Sequence, residues 1–568
     1  MAMARRQMSL LGSPFMATVR ALTPFTLRAP APAAPLLLRS SMSSSSMQGK
    51  LVAPPMVYAK GEEMTRYVMS LILDKWIEPH LDTTSWQYFD LSCKARDDTD
   101  DEVLRECVRA GANVKSIFKE PTITPTEEQV KSLGLTKRLP SPNGAMRRGW
   151  NGITISRGTI HIPGVKLGYD KPVIFERHAV GGEYSAGYKT NVGRGTLRTV
   201  FYPEVHEPGN PSLPPYKVVY ETPLTDGDNA VVTYHNPLDN VSDLAEIFFN
   251  RCLEAKVTPY VVTKKTVFKW QESFWQIHKR VFDAKYRGRF LAAGLLGPTN
   301  GELAHLISDA ATMKIAQWKQ GNFGMSAHNY DGDMLTDEIS QVHRSPGFVS
   351  SELVGKSSRD GSLIKEFEAS HGTVTDMDQL RLDGRRTSFN PLGLSEALFS
   401  AIIWADQLAG VQPLAEDADV DGPAAAADTP SLFAARAKSA LRRVIARGQA
   451  TSDLAGAGKG LSTEEFIDAV ADELKCSAEE GNAAYWASVM EASSSAAELE
   501  EDETSEALRD SLVGELERAA SMAEATGDRG LSGMDSEAVV NTFLEWDADG
   551  DGRIGIADFA RAVKSDKK

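Results

Sequence analysis

Pro259-Tyr-Val-Val-Thr-Lys264 is the stretch whose reading decides the fold. Its apolar part is bulky and partly β-branched, and it is too short for a helix, so it reads as a buried strand. Residues 171–175 and 217–220 read the same way. Residues 63–76 and 101–110 instead bring apolar side chains round every three or four positions, as one face of a helix requires. Strands alternating with helical segments from about residue 55 to 475 imply an α/β enzyme body. No internal repeat crosses it.

The 568 residues, 42% of them hydrophobic, are enough for two or three folded units, which excludes a disordered scaffold. No run of 18 apolar residues occurs, so no membrane span is expected. The net charge of -15 argues against nucleic acid as a partner, because such binding needs a basic surface. Cys93, Cys107, Cys252 and Cys476 are scattered without zinc-ligand spacing and read as reduced thiols.

Both ends differ from the body. Residues 1–60 hold five Arg and two Lys but no acid. Residues 1–50 therefore read as an organellar transit peptide, with the mitochondrial matrix preferred over the plastid because of the chemistry below. Residues 412–430, rich in Ala, Asp and Pro, read as a surface insertion. Residues 477–568 hold 22 acidic and 8 basic residues, 8 - 22 = -14, and form a separate C-terminal extension in which residues 498–525 suggest a charged helix.

In that extension, residues 547–558 fit a calcium-binding EF-hand loop. Asp547, Asp549, Asp551 and Asp558 occupy positions 1, 3, 5 and 12, Gly552 permits the bend, and Arg553 offers its backbone carbonyl. Val539, Phe543 and Trp546 lead in, and Phe559 and Val563 lead out, as flanking helices would. Asp558 has a shorter arm than the usual Glu, which weakens bidentate closure on Ca2+ and lets Mg2+ compete.

Arg147, Arg157 and Arg177 follow the polar segments Thr122-Ile-Thr-Pro125 and Ser141-Pro-Asn-Gly144. One arginine alone would more often pair with a surface acid. Three that converge would suit a small molecule with several carboxylates, each held by paired charge-assisted hydrogen bonds. Asp333 and Asp337 lie four residues apart in Asn329-Tyr-Asp-Gly-Asp-Met-Leu-Thr-Asp337. If the turn at Gly332 opens a helix, they share a face and repel unless a hard cation sits between them, Mg2+ or Mn2+. Asp309, at the edge of a Leu303, Leu306, Ile307, Ala310 helical stripe, is a third candidate ligand. Crowding of Lys264 by Lys265 favours the neutral amine that a base requires, and Tyr184 is a candidate proton donor.

Gly61-Glu-Glu-Met-Thr-Arg66, the segments at 122 and 141, Glu176-Arg-His-Ala-Val-Gly-Gly-Glu-Tyr184, Val262-Thr-Lys-Lys-Thr266, the segment at 329 and Glu368-Ala-Ser-His-Gly-Thr-Val-Thr375 together resemble the eukaryotic-type homodimeric isocitrate dehydrogenases, within the isocitrate/isopropylmalate dehydrogenase superfamily. The resemblance covers residues 56–475. It implies a two-domain α/β fold: a large domain from 56–151 and 344–475, a small domain from 152–181 and 238–343, and a β-rich clasp at 182–237. The C-terminal all-α EF-hand unit is additional to it. It also implies a homodimer with shared active sites. Isocitrate would be bound by Thr124, Ser141, Asn143, Arg147, Arg157 and Arg177, and metal by Asp333 and Asp337 with Asp309 from the other subunit. Lys264, also from the other subunit, would help remove the hydroxyl proton, and Tyr184 would protonate the product, 2-oxoglutarate. The stretch between Arg147 and Arg157 is one residue longer than the family pattern, which brings Arg148 into consideration. Residues 303–321 also differ in length from that pattern, which loosens the assignment of Asp309.

No GxGxxG fingerprint follows a strand. The resemblance implies a different dinucleotide loop, His371, Gly372, Thr373, Val374, Asp376 and Met377, with Asn390 at the adenine and Lys119 and Thr122 nearby. NADP-using relatives usually carry Arg and His where this chain has Asp376 and Met377. A carboxylate there accepts from a ribose 2'-hydroxyl and repels a 2'-phosphate, so NAD is expected. The alternatives are an NADP-dependent isocitrate dehydrogenase and a catalytically dead dimeric calcium-sensing scaffold. The joint presence of Lys264, Tyr184, Asp333 and Asp337 counts against the second.

Overall fold

The computed structural model describes residues 50–203, 216–225, 227–414, 429–456 and 458–476. The transit peptide expected over residues 1–50, except for its last residue, most of the insertion at 412–430 and the whole extension with its calcium loop lie outside the described residues.

Ten strands form one sheet: β1 (Val57–Lys60), β2 (Gln87–Asp90), β3 (Ser116–Lys119), β4 (Gly152–Thr159), β5 (Val173–His178), β6 (Thr258–Thr263), β7 (Ala304–Ile307), β8 (Phe323–Ala327), β9 (Val349–Lys356) and β10 (Leu363–Ala369). Their order is β7-β6-β8-β5-β4-β9-β10-β3-β1-β2. The four strands at one end are mutually parallel, and so are the four at the other. Between them β4 and β9 pair antiparallel with each other and with their outer neighbours. Parallel neighbours need a crossover, which helices such as Val241–Glu254 and Asn329–His343 supply. The α/β expectation holds.

The run at 259–262 is the centre of β6, and 171–175 overlaps β5. Apolar spacing from 303 to 310 suggests a helix, yet residues 304–307 form β7 and the helix starts at Ser308. The ladder pairing Tyr260–Thr263 with Ala304–Ile307 decides this, since periodicity alone cannot separate a short apolar strand from a turn of helix.

Leu392–Leu408 is apolar on almost every side because it lies between the sheet and the helix Pro430–Ala446. Around the opposite end, Phe248, Phe249, Phe274, Phe282 and Phe290 form one aromatic cluster. Each large apolar side chain taken out of water contributes about 1.5–3 kcal/mol, so these clusters fix the helices against the sheet. Cys93, Cys107 and Cys252 are free and buried, as expected of reduced thiols. Among the described residues no helix is long and apolar enough to cross a membrane.

Within 182–237, strands Gly187–Val192 and Asn229–Thr233 form one antiparallel ladder, and Gly195–Phe201 and Lys217–Leu224 another. They leave Tyr188, Phe201, Val219 and Tyr220 more than half exposed. A two-stranded ladder is marginal by itself in water, and apolar side chains on it call for a further surface.

The helix Pro142–Gly149 is pinned to Glu102–Val114 by Trp150, whose indole N–H donates to the Val108 carbonyl at 2.9 Å. A Cβ on Gly111 would lie 2.6 Å from that ring. Gly111→Ala should therefore destabilise the protein by about 1–3 kcal/mol and lower its thermal midpoint. An unchanged midpoint would mean that the indole does not pack there.

Candidate active site

Strand register assembles the centre of the site. Phe175, Arg157, Ser351, Glu368 and Lys119 align across five strands, and Arg177, Ile155, Leu353 and Glu366 align two residues further along. Residues in register, or two apart, project from the same face. Arg157, Arg177, Glu366, Glu368 and Lys119 therefore share one side of the sheet.

Two helices complete the walls. Pro142–Gly149, with Ser141 as its N-cap residue, contributes Asn143, Arg147 and Arg148. Asn329–His343, which follows β8, contributes Asn329 and Asp333, whereas Asp337, one turn further along, is exposed and does not line the cavity. They enclose a cavity of about 320 Å³ lined by Ser141, Asn143, Arg147, Arg148, Arg157, Arg177, Tyr184, Asn329, Asp333, Glu368, His371 and Gly372, with neighbouring backbone. The expected turn at Gly332 is absent, because the helix opens three residues earlier at Asn329. Gly332 serves close approach instead: a Cβ there would lie 2.8 Å from Arg177 Cγ.

The arginines are held out of water. Arg177 Nε donates to Asn329 Oδ1 at 2.9 Å, and Asn329 Nδ2 donates to the Gly181 carbonyl at 3.0 Å. Arg177 also pairs with Asp333, which accepts from the Tyr184 hydroxyl. Arg157 donates to Thr336 Oγ1 at 2.9 Å and to Asp337 at 3.3 Å. Arg147 lies 5.8 Å and Arg177 5.0 Å from the Tyr184 ring centre. Burial, with Arg147 as the like-charged neighbour, lowers the Arg177 pKa well below its ordinary value, and burial lowers that of Arg147 despite Glu368. A guanidinium does not give up its proton, so this is a measure of unmet demand for negative charge.

Unused donors point the same way. Two donors, Arg177 Nη2 and Arg157 Nε, are buried without a hydrogen-bond partner among the described residues, as is one acceptor, Asn143 Oδ1. Such atoms are costly unless a ligand or water satisfies them. The cavity thus fits a polyanion. For a divalent cation, Asp333 and Asp337 stand one helical turn apart, now balanced by Arg177 and Arg157. No group of three or more acidic, His or Cys side chains able to hold a metal occurs among the described residues, so among them two carboxylates, without a third, stand at this point.

Lys264 and Asp309 do not line this cavity. They pair with each other outside it, Lys264 at the end of β6 and Asp309 in the first turn of Ser308–Gln317. Thr124 is exposed, and Thr122 has a buried, unpartnered hydroxyl; both lie in the loop after β3 and neither lines the cavity.

Lys119, expected near a dinucleotide, is buried and pairs with Glu368, with Glu366 at 3.8 Å. Of this group only Glu368 reaches the cavity. Burial and then Glu368 push the Glu366 carboxyl up to about 8, so it holds a proton near neutral pH, while Lys119 keeps Glu368 ionised.

In the loop, Thr373 and Thr375 hydroxyls both donate to Glu63 Oε2, at 2.5 and 2.7 Å. Val374 takes φ 59 as the helix Thr375–Leu382 begins. Asp376 is exposed in its first turn, and Met377 packs partly on the core. Asn390 donates to Asp453 at 2.9 Å.

Sequence reasoning passed over Glu368, Glu366, Asn329, Thr336 and Glu63 as site residues. Glu63, Asn329 and Glu368 stood inside quoted motifs. Their roles depend on register and on contacts such as the 310-residue separation between Glu63 and Thr373, which no local spacing encodes.

The family model described as isocitrate/isopropylmalate dehydrogenase matches residues 52–470. The chain is 57% identical over 438 residues to the mitochondrial NAD(+) isocitrate dehydrogenase of Ostreococcus tauri, spanning 77% of this chain and 88% of that protein. It is 56% identical over 430 residues to the mitochondrial NAD(+) isocitrate dehydrogenase 1 of Phaeodactylum tricornutum, spanning 76% of each. The crystal structure of the Ostreococcus tauri isocitrate dehydrogenase in complex with isocitrate and magnesium(II) is similar, with a TM-score of 0.68 and 58% identity over 75% of this chain and 100% of that one. Because the family match takes in every strand of the ten-stranded sheet and is joined by relatives more than half identical, this chain belongs to the isocitrate/isopropylmalate dehydrogenase family.

Proposed function

We propose that the protein is a NAD-dependent isocitrate dehydrogenase, oxidising isocitrate and decarboxylating it to 2-oxoglutarate and CO2 with a divalent cation, Mg2+ or Mn2+. The observation that carries this reading is the convergence of Arg147, Arg157 and Arg177 on one cavity with buried donors to spare. The substrate has three carboxylates. Two guanidinium N–H groups per carboxylate match that charge and shape. The Ostreococcus tauri relative was solved with isocitrate and magnesium(II).

Ser141 and Asn143 at the head of their helix would orient the acid while the arginines neutralise it. A divalent cation held by Asp333 and Asp337 would act as a Lewis acid on the C2 oxygen, and NAD would accept the hydride. With Asp333 and Asp337 given to the cation, Arg177 and Arg157 would be left to pair with the substrate carboxylates. Lys264 of a second copy would take the C2 hydroxyl proton. After CO2 departs, the Tyr184 hydroxyl, at the cavity wall, would return a proton to C3.

Homodimerisation with shared sites is part of this proposal. It is supported by the Lys264–Asp309 pair standing off its own cavity, by the missing third carboxylate, and by the apolar ladders within 182–237. NAD over NADP is supported by the exposed Asp376 carboxylate and by the NAD(+) names of the two relatives above half identity. Those names, with the acid-free residues 1–50, support the mitochondrial matrix. We also propose that Ca2+ binds the EF-hand pattern of 547–558 and modulates the enzyme.

Initial rates with isocitrate and Mg2+ should be high with NAD and low with NADP, and Asp376→Arg with Met377→His should raise NADP use by about tenfold or more. Equal use of both by the wild type, or an unmoved preference in the variant, refutes the cofactor assignment. Lys264→Met and Arg177→Ala subunits, each inactive alone, should regain about half the wild-type rate per mixed dimer, since one of two sites is then intact. No recovery would mean the sites are not shared. Deleting residues 477–568 should abolish any change of rate or thermal midpoint on adding Ca2+. A response that survives the deletion, or a full-length enzyme that never responds, removes the calcium proposal.

A further inference from the structure

Three successive residues at the head of Thr463–Cys476, the last described helix, each bond a residue that flanks the segment read as the dinucleotide site. Thr463 is fully buried. Its hydroxyl accepts from the Phe389 N–H at 3.0 Å and lies 2.8 Å from the Thr387 hydroxyl, while its own N–H donates to the Thr387 carbonyl at 3.0 Å. Glu464 accepts from the Tyr67 hydroxyl at 2.8 Å, and the Tyr67 ring carries the Arg381 guanidinium 4.6 Å from its centre. Glu465 pairs with Arg386 at 2.9 Å.

These partners flank the loop on both sides. Arg381 belongs to the helix Thr375–Leu382 that the loop opens into. Phe389 packs edge-on against His371 at 5.5 Å, and Asn390 is the next residue. Tyr67 lies one turn along from Glu63, which takes both loop threonines. The buried hydroxyl of Thr463 thus ties residues 387 and 389 to the head of this helix.

We propose that Thr463 is a positioning residue for dinucleotide binding. It sets Phe389 and Asn390, and through the Phe389 ring the His371 imidazole, so that this end of the site is formed before the dinucleotide arrives. The proposal rests on the reading of 371–377 and Asn390 as the NAD site. Replacing the hydroxyl by a methyl of the same size leaves the Phe389 N–H and the Thr387 hydroxyl buried without this partner, and the irregular segment 387–389 shifts to satisfy them.

Thr463→Val should raise KM for NAD about five- to twentyfold, with kcat and KM for isocitrate within about twofold of wild type. Thr463→Ser should restore it. Should Thr463→Val not fold, Tyr67→Phe removes one hydrogen bond of the same clamp while keeping the ring, and should raise KM for NAD alone by about two- to fivefold. A folded Thr463→Val enzyme with unchanged KM for NAD overturns the proposal, as does a parallel change in kcat and isocitrate KM or a failure of serine to restore. A wild-type enzyme that uses NADP instead of NAD would sink the NAD reading alone, and the same variants would then be scored on KM for NADP.

Discussion

Arg157 and Arg177 are buried and Arg147 is half-buried around one cavity, and the protein surrounds them with fewer anions than their burial demands. Asp333 and Asp337 answer Arg177 and Arg157 directly, while Arg147 has the Tyr184 ring and the more distant field of Glu368 and Glu366. Such an arrangement costs folding free energy, because a buried cation without a full partner is expensive. It is retained where an incoming polyanion will complete the balance, and that requirement shapes the remainder of the site.

The rest of the fold serves to hold those cations in place. Antiparallel β4 and β9 join two parallel half-sheets, and their register delivers side chains from both halves to one face. Gly332 lets a helix close on the stem of Arg177, and Asn329 fixes the plane of its guanidinium. Behind them Lys119 pairs with Glu368, and burial beside Glu368 raises the pKa of Glu366, so a carboxylate is put into the cavity with little surplus negative charge. A second ionised carboxylate there would oppose the anion that the arginines are built to receive.

The two ends of the site are constructed differently. The anion end is a rigid face of sheet and helix, whereas the loop 371–377 depends on Glu63, Phe389 and the last helix, all distant in sequence. The Lys264–Asp309 pair stands outside the cavity of its own chain, which accords with the proposal of sites completed by a second copy.

Local spacing sufficed for the α/β alternation, the strand at 259–262 and the helices at 63–72 and 102–114, because these follow from apolar period and length. It also sufficed to select the arginines and aspartates as a group, since residue chemistry is written in the chain. It misread residues 304–307, where pairing with β6 outweighs a helical spacing, and Gly332, whose role is close approach and not a turn. Only the tertiary structure decided that Glu368 reaches the cavity while Lys119 stays behind it, that Glu63 takes the loop threonines, and that Thr463 bonds Thr387 and Phe389. Those facts depend on strand register and on contacts between residues 74 to 310 positions apart, where the geometry is set by tertiary packing and not by any neighbour in the chain.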